Sequence, residues 1–127
     1  MVESDITKEM IDSGAQLVKA LDTYGLQPDA AFWIYFPDLE AWKLCILEIK
    51  VDRLGPKAVY AQIQKVLTEL KETSLALDSI SVLKTDAPLV GLLRKAIKTG
   101  PGISGIRFQK NVINGTLIED AYIYRMK

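Results

Sequence analysis

The amino-acid sequence predicts an α+β fold, a single domain over residues 1–127 with three helices and a five-stranded mixed sheet. Three observations indicate this class. Two stretches alternate in hydrophobicity around Asn114-Gly115, three stretches repeat apolar residues at helical spacing, and two runs are rich in aromatic and branched side chains. The predicted order along the chain is therefore α-β-β-α-β-α-β-β.

The helices and strands have recognisable boundaries in the sequence. The predicted helices run over 5–24, from 55 to about 72, and from 86 to the stop at 100–101, and the first three strands cover 30–36, 42–51 and 80–83. Asp5 and Asp86 are the expected N-caps, and Gly25 and Gly100 are the expected stops. The first two strands are apolar on both faces, which predicts interior strands covered on both sides.

The last two strands form a hairpin, because Asn-Gly suits the two positive-φ positions of a type I′ turn. A two-residue loop fixes the register. On one face it pairs Val112 with Leu117, Lys110 with Glu119, Phe108 with Ala121 and Ile106 with Ile123, and on the other Asn111 with Ile118, Gln109 with Asp120 and Arg107 with Tyr122. One opposite-charge pair and several apolar pairs fall opposite each other, as in a stable ladder.

The composition excludes several classes of function. The chain contains no histidine and one cysteine, Cys45, so histidine catalysis, zinc clusters and internal disulfides are excluded. Sixteen basic and sixteen acidic residues cancel, which leaves no global field for nucleic acid. The first residues form no signal sequence, and no apolar run approaches the length of a membrane span. We therefore expect a cytoplasmic protein without a cofactor.

Glu48-Ile49-Lys50 is the sharpest catalytic candidate. A glutamate and a lysine two apart in a strand share a face, so the carboxylate could bind Mg²⁺ or Mn²⁺ while the ammonium orients water. The alternative explanation is an ion pair at the solvated end of a strand. A metal site also needs a second carboxylate within a few ångströms, and Asp29 and Asp38 each follow a proline. A hairpin turn at Asp38 places it about 20 Å from Glu48, too far for one ion.

This pattern resembles the PD-(D/E)XK nucleases, over about residues 9–64. The resemblance implies a metal-dependent nuclease with Asp29, Glu48 and Lys50 in its site, and Glu9 with Gln62 or Gln64 as helpers. It also implies three strands between the first two helices, where the sequence predicts two. A four-residue hairpin loop would place Asp29 opposite Glu48, whereas a five-residue loop would send it to the other face.

The residues from Thr99 to Gly105 form a glycine-rich loop, interpreted either as a specialised turn or as a shaped binding edge. It follows a helix carboxyl terminus, whose dipole repels anions, and this weighs against phosphate binding. The nearby basic residues are Arg94, Lys95, Lys98 and Arg107. No exposed aromatic run interleaves with them, so nucleic-acid binding is the less favoured use of this patch.

The final strand suggests a contact surface. Tyr122 and Tyr124 are expected to share a face with Ile118, and if uncovered that face would suit a protein partner. The preferred hypothesis is a non-enzymatic protein that binds another protein or itself through a hairpin face or an edge strand. Residues 102–125 also resemble the carboxy-terminal segment of small uncharacterised bacterial proteins, which implies a bacterial cytosolic protein and no particular activity.

Overall fold

A computed structural model describes residues 6–47, 55–70, 75, 77–84 and 86–127. The elements are α1 (Lys8–Thr23), β1 (Ala30–Phe36), β2 (Ala41–Leu47), α2 (Gly55–Glu69), a 3-10 turn (Leu77–Ser79), β3 (Ile80–Leu83), α3 (Pro88–Ala96), β4 (Ile106–Ile113) and β5 (Thr116–Met126). The predicted α+β class and element order are confirmed. Within the described ranges, no helix combines the length and apolar character needed to cross a bilayer.

The five strands form one sheet in the order β3-β2-β1-β5-β4. Only β2 and β3 run parallel, and the other neighbours are antiparallel. As predicted, β1 and β2 are interior strands. β3 and β4 are the two edges of the sheet.

The sheet separates two apolar clusters. On one face α1 and α2 pack over Trp33, Leu44 and Tyr124, and on the other α3 packs over Phe32 and Ile123. Successive residues of β1 alternate between the clusters, as the pleat of a strand requires. The absence of a polar face on β1 follows from this double cover.

Two helix caps differ from the prediction. Thr7 is the N-cap of α1, and its hydroxyl accepts a hydrogen bond from the Met10 amide at 3.1 Å; Asp5 lies outside the described residues. The N-cap of α3 is Ala87 rather than Asp86, without a side-chain bond. Pro88 begins that helix and has no N–H to satisfy, which lowers the need for a capping side chain.

α3 also ends earlier than predicted. Its last helical residue is Ala96, and Ile97 is already extended and buried. Beyond it the Thr99 amide donates to the Met126 carbonyl at 2.8 Å. The chain therefore leaves the helix to run beside β5 before the glycine and proline are reached.

The predicted register of the second hairpin is confirmed at seven pairs, from Ile113 opposite Thr116 to Ile106 opposite Ile123. The exception is Lys110, which is not paired with Glu119 and has a φ of 47°. A non-glycine residue with positive φ interrupts the pleat, because a strand requires negative φ.

Candidate functional site

The end of the second hairpin projects from the sheet. The last pair between β1 and β5 is Ile34 with Ala121, so residues 116–120 have no β1 partner and pair only with β4 in the sheet. We call residues 109–120 the hairpin arm. Five residues of strand span about 15 Å. The arm is thus a two-stranded extension whose outer strand, β4, has no other strand beside it in the described part of the chain.

The tip of the arm exposes apolar side chains. Val112 is 66% exposed and Leu117 is 56% exposed, and the two are directly paired across the hairpin. No charged residue occurs between Asn111 and Ile118. Charged residues are likewise depleted at the centre of protein interfaces, so this composition is typical of a contact surface.

Lys110 lies near the base of the arm, where the regular alternation of β4 is interrupted. Before it, Phe108 packs with the cluster under α3; after it, Ile113 packs with that same cluster although strict alternation would send it to the other face. On β5, Ile118 likewise packs with that cluster, although alternation from Ala121 would send it to the other face. The left-handed conformation of Lys110 explains the change of face on β4.

An ion pair holds the base of the arm. Arg107 donates to both carboxylate oxygens of Asp120, from Nε at 2.7 Å and from Nη2 at 2.6 Å, and Gln109 adds a bond at 3.4 Å. Asp120 is 6% exposed. The two-pronged contact joins β4 to β5 at the base of the arm.

The opposite edge of the sheet is closed. β3 has only four residues, and the Val82 amide donates to the Tyr60 hydroxyl of α2 at 2.8 Å. Lys43 of β2 donates to the Asp78 carbonyl just before β3. Since a side chain already occupies an amide of β3, this edge is a poorer template for an added strand than β4.

The predicted tyrosine surface is not an open face. Tyr124 is 1% exposed, and its hydroxyl donates to the Ile11 carbonyl of α1 at 2.6 Å while accepting from the Trp33 indole at 3.0 Å. Burial raises the pKa of Tyr124 well above the ordinary value of a phenol, against the smaller opposing effect of the Trp33 hydrogen bond. Tyr122 is half-buried beside it. Ile118 is buried in the opposite cluster, so the three side chains do not form one surface.

The predicted basic patch is also divided. Arg107 is paired with Asp120 and lies opposite Tyr122 on the side of the sheet covered by α1. Arg94 belongs to α3 on the other side, where it donates to the Lys127 carbonyl at 2.7 Å. Lys98 is exposed beyond the end of α3. The structure therefore does not bring Arg94 and Arg107 together.

The glycine-rich loop is a turn packed along β5. The Ser104 amide donates to the Tyr124 carbonyl at 2.6 Å, and the Thr99 hydroxyl accepts from the Met126 amide at 2.8 Å. A Cβ atom on Gly105 would collide with the Tyr122 hydroxyl. Close packing accounts for this glycine without a ligand.

The structure describes only some of the residues predicted for a nuclease site. Glu48 and Lys50 lie outside the described residues. The first hairpin has Ala31 opposite Ile46 and Phe36 opposite Ala41, which is the register of the four-residue loop. Asp29 is half exposed, and its carboxylate lies 3.6 Å from the Lys127 ammonium. Glu9 is exposed on α1, and so are both candidate glutamines on α2.

Neither the cysteine nor the acidic residues form a reactive site in the described ranges. Cys45 is fully buried, and burial raises the pKa of its thiol to about 12, which Lys43 only partly opposes. The described residues contain no group of three or more cysteines, aspartates or glutamates that could hold a metal. A groove of about 650 Å³ runs between α1 and α2, and its charged lining residues are Lys19 and Glu69.

Sequence reasoning missed a buried ion pair. Arg125 is 2% exposed and donates to both oxygens of Asp22, at 3.0 and 2.6 Å, and to the Pro28 carbonyl at 2.9 Å. Two signals could have indicated it. Asp22 is an acid in the last turn of a helix, where the dipole disfavours it, and Arg125 is the only charge in the apolar run from Ala121 to Met126.

Comparisons with protein-family models, with curated protein sequences and with solved structures find no match to this chain.

Proposed function

We propose that this chain is a small cytoplasmic protein without catalytic activity that binds another protein or a second copy of itself through the hairpin arm. The observation that carries the proposal is the exposure of the Val112 and Leu117 pair on an arm whose outer strand has no neighbouring strand in the described part of the chain. The uncharged stretch from Asn111 to Ile118 supports it further.

The energetics of the arm favour a contact. A two-stranded hairpin is marginally stable in water, and among the described residues the arm packs against the cluster under α3 through Ile113 and Ile118 alone. Full burial of an aliphatic side chain stabilises a protein or complex by about 1.5 to 3 kcal/mol. Val112 and Leu117 do not gain this stabilisation while they remain exposed. A partner that covered them would recover that energy and could also pair with the free edge of β4.

The experiment compares the full chain with a Val112→Thr, Leu117→Thr double variant. Threonine keeps the strand propensity of the arm but removes apolar surface. We expect the variant to bind its captured partner, or its own copy, at least tenfold more weakly in affinity capture and sedimentation, since about 1.4 kcal/mol corresponds to a factor of ten. The same variant should fold normally.

Ile103→Thr is the matched control, because Ile103 is 41% exposed in the loop before β4 and lies outside the arm. It should bind as the wild type does. Identical association by all three proteins, or association that Ile103→Thr alone abolishes, would show that the arm is not the contact surface.

A metal-dependent nuclease is the alternative, and one observation favours it. The observed register of the first hairpin, with Ala31 opposite Ile46, is the one for which the sequence predicts Asp29 opposite Glu48. Under this alternative Asp29 and Glu48 would bind Mg²⁺ or Mn²⁺ and Lys50 would orient the attacking water.

Hydrolysis of labelled DNA and RNA with Mg²⁺ or Mn²⁺ tests the alternative, comparing the wild type with Glu48→Gln. Metal-dependent cleavage that the variant loses would support the nuclease and contradict the non-enzymatic proposal. Equal background in both proteins would exclude it.

A further inference from the structure

One end of the sheet collects exposed apolar side chains from two different turns. β1 and β5 are antiparallel with Ile34 opposite Ala121, so the turn between β1 and β2 lies at the same end as the hairpin arm. Leu39 in that turn is 63% exposed. Together with Val112 and Leu117, it makes this end of the molecule unusually apolar for a solvated surface.

The exposed charges at this end differ between the turn and the outer strand of the arm. Asp38 and Glu40 flank Leu39 and are exposed, whereas the outer strand β4 contributes the exposed Lys110; the two acids of the arm lie on β5, where Glu119 is half-buried and Asp120 is buried. In the described part of the chain, none of Asp38, Glu40 and Lys110 takes part in an ion pair. The end of the sheet therefore offers an acidic apolar turn beside an apolar arm whose outer strand carries the exposed Lys110.

This combination is self-complementary. In a two-fold symmetric dimer each surface contacts its counterpart in the other copy, so the arm of one chain can lie against the turn of the other, and the reverse. Lys110 would then face Asp38 and Glu40, while Leu39 would cover Val112 or Leu117. Both contacts are made twice, once for each copy.

Pairing the two β4 strands directly is the less favourable way to form a dimer. Asp120 compensates the charge of Arg107, so the uncompensated charge on β4 is Lys110, and an antiparallel β4–β4 ladder would bring the two copies of this lysine into one strand pair without an acid to face them. The left-handed φ of Lys110 also interrupts the strand at that point. Lysine and local irregularity at an edge are known obstacles to edge-to-edge pairing.

We infer that the occupant of the hairpin arm is a second copy of this chain, which presents the turn Asp38-Leu39-Glu40 to Lys110, Val112 and Leu117. The inference rests on the proposed function, since it names the partner for the same surface. It adds the turn between β1 and β2 to the interface and states that the arm of one copy contacts the turn of the other.

Sedimentation equilibrium at low salt tests the inference with charge reversals on each side. We expect the wild type to dimerise, and both Lys110→Glu and the Asp38→Lys, Glu40→Lys variant to dimerise at least tenfold more weakly, because like charges then face each other. An equimolar mixture of the two variants should recover the dimer, since both of its arm-to-turn contacts again join opposite charges. A single chain carrying all three reversals should also dimerise.

Lys98→Glu is the control, because it reverses an exposed lysine away from this end and should leave the dimer intact. A wild type that stays monomeric, a dimer that tolerates the reversal at Lys110, or variants that fail to recover on mixing would each overturn the inference. The proposed function would survive such a result if Val112→Thr, Leu117→Thr still lost a captured partner. It would fail separately if that double variant associated normally.

Discussion

The two halves of β5 have opposite surroundings. Residues 121–126 lie inside the sheet, and all except Tyr122 are buried; of residues 116–120, which belong to the arm, only Ile118 and Asp120 are buried. Residues 121–126 contact other strands, helices and loops, whereas residues 116–120 contact mainly the opposite strand of their own hairpin. The difference shows that packing explains the sequence of the first region and not that of the second.

Three consecutive residues show how strongly the half of β5 inside the sheet, residues 121–126, is bonded to its surroundings. Tyr124 bonds to the Ile11 carbonyl, Arg125 to Asp22, and Met126 to the Thr99 hydroxyl. These contacts join β5 to both ends of α1 and to the loop after α3. Substitutions in the body should therefore lower stability, and substitutions in the arm should lower association.

The largest loss of stability is expected for Asp22→Asn. Arg125 is buried, so removal of its counter-ion leaves a charge uncompensated, and we expect a loss of about 3 kcal/mol, near the lower limit for broken buried pairs because the Asp22 side chain is 25% exposed. Urea unfolding measures it. Asp12→Asn is the control, since Asp12 is exposed on the same helix, and should change the free energy of unfolding by less than about 0.5 kcal/mol.

A double-mutant cycle with Arg125→Met isolates the pair. The double variant should lose clearly less stability than the two single variants added together, because it removes both charges. Strict additivity would show that Asp22 and Arg125 do not stabilise the fold as a pair.

A smaller loss of stability is expected for Gly14→Ala in α1. Alanine is normally the better helix former, but a Cβ atom here would collide with the Tyr124 hydroxyl and lie 2.7 Å from the Trp33 indole nitrogen. We expect a loss of about 2 kcal/mol from overpacking, measured by thermal or urea unfolding. The Tyr124→Phe background should reduce the loss, since it removes the colliding oxygen.

Gly91→Ala in α3 is the matched comparison. Nothing lies within 4 Å of the position its Cβ atom would take, so helix propensity alone should stabilise the protein by about 0.5 to 1 kcal/mol. A stabilising effect at both glycines would contradict the close approach of Tyr124 to α1.

The smallest change in stability is expected in the arm itself. Val112→Thr, Leu117→Thr should unfold within about 0.5 kcal/mol of the wild type, because both side chains are already exposed. A loss of several kcal/mol would mean that the arm belongs to the folding unit of the body and would remove the distinction between the two halves of β5.

Local patterns account for what the sequence predicted well. Asn114-Gly115 alone sets the register of the second hairpin, because a two-residue turn admits one pairing of the strands. The apolar stripes of the helices and the two-sided apolar strands were equally informative, since burial of one stripe or of both faces leaves a period in the sequence. These signals depend on neighbours a few residues away.

The remaining features of the fold and of the candidate site depend on contacts between residues far apart in the sequence. The contact of Asp22 with Arg125 and that of Gly14 with Tyr124 each join residues more than a hundred positions apart, and no local period encodes them. Lys110 and Glu119 are unpaired in the ladder, and beyond them Ile118 lies in the other cluster, which strict alternation could not anticipate. The strand order made β4 an edge and turned the end of the hairpin into an arm, because β1 ends its pairing at Ala121. The sequence thus determined the elements, and long-range packing determined which of their surfaces remained exposed.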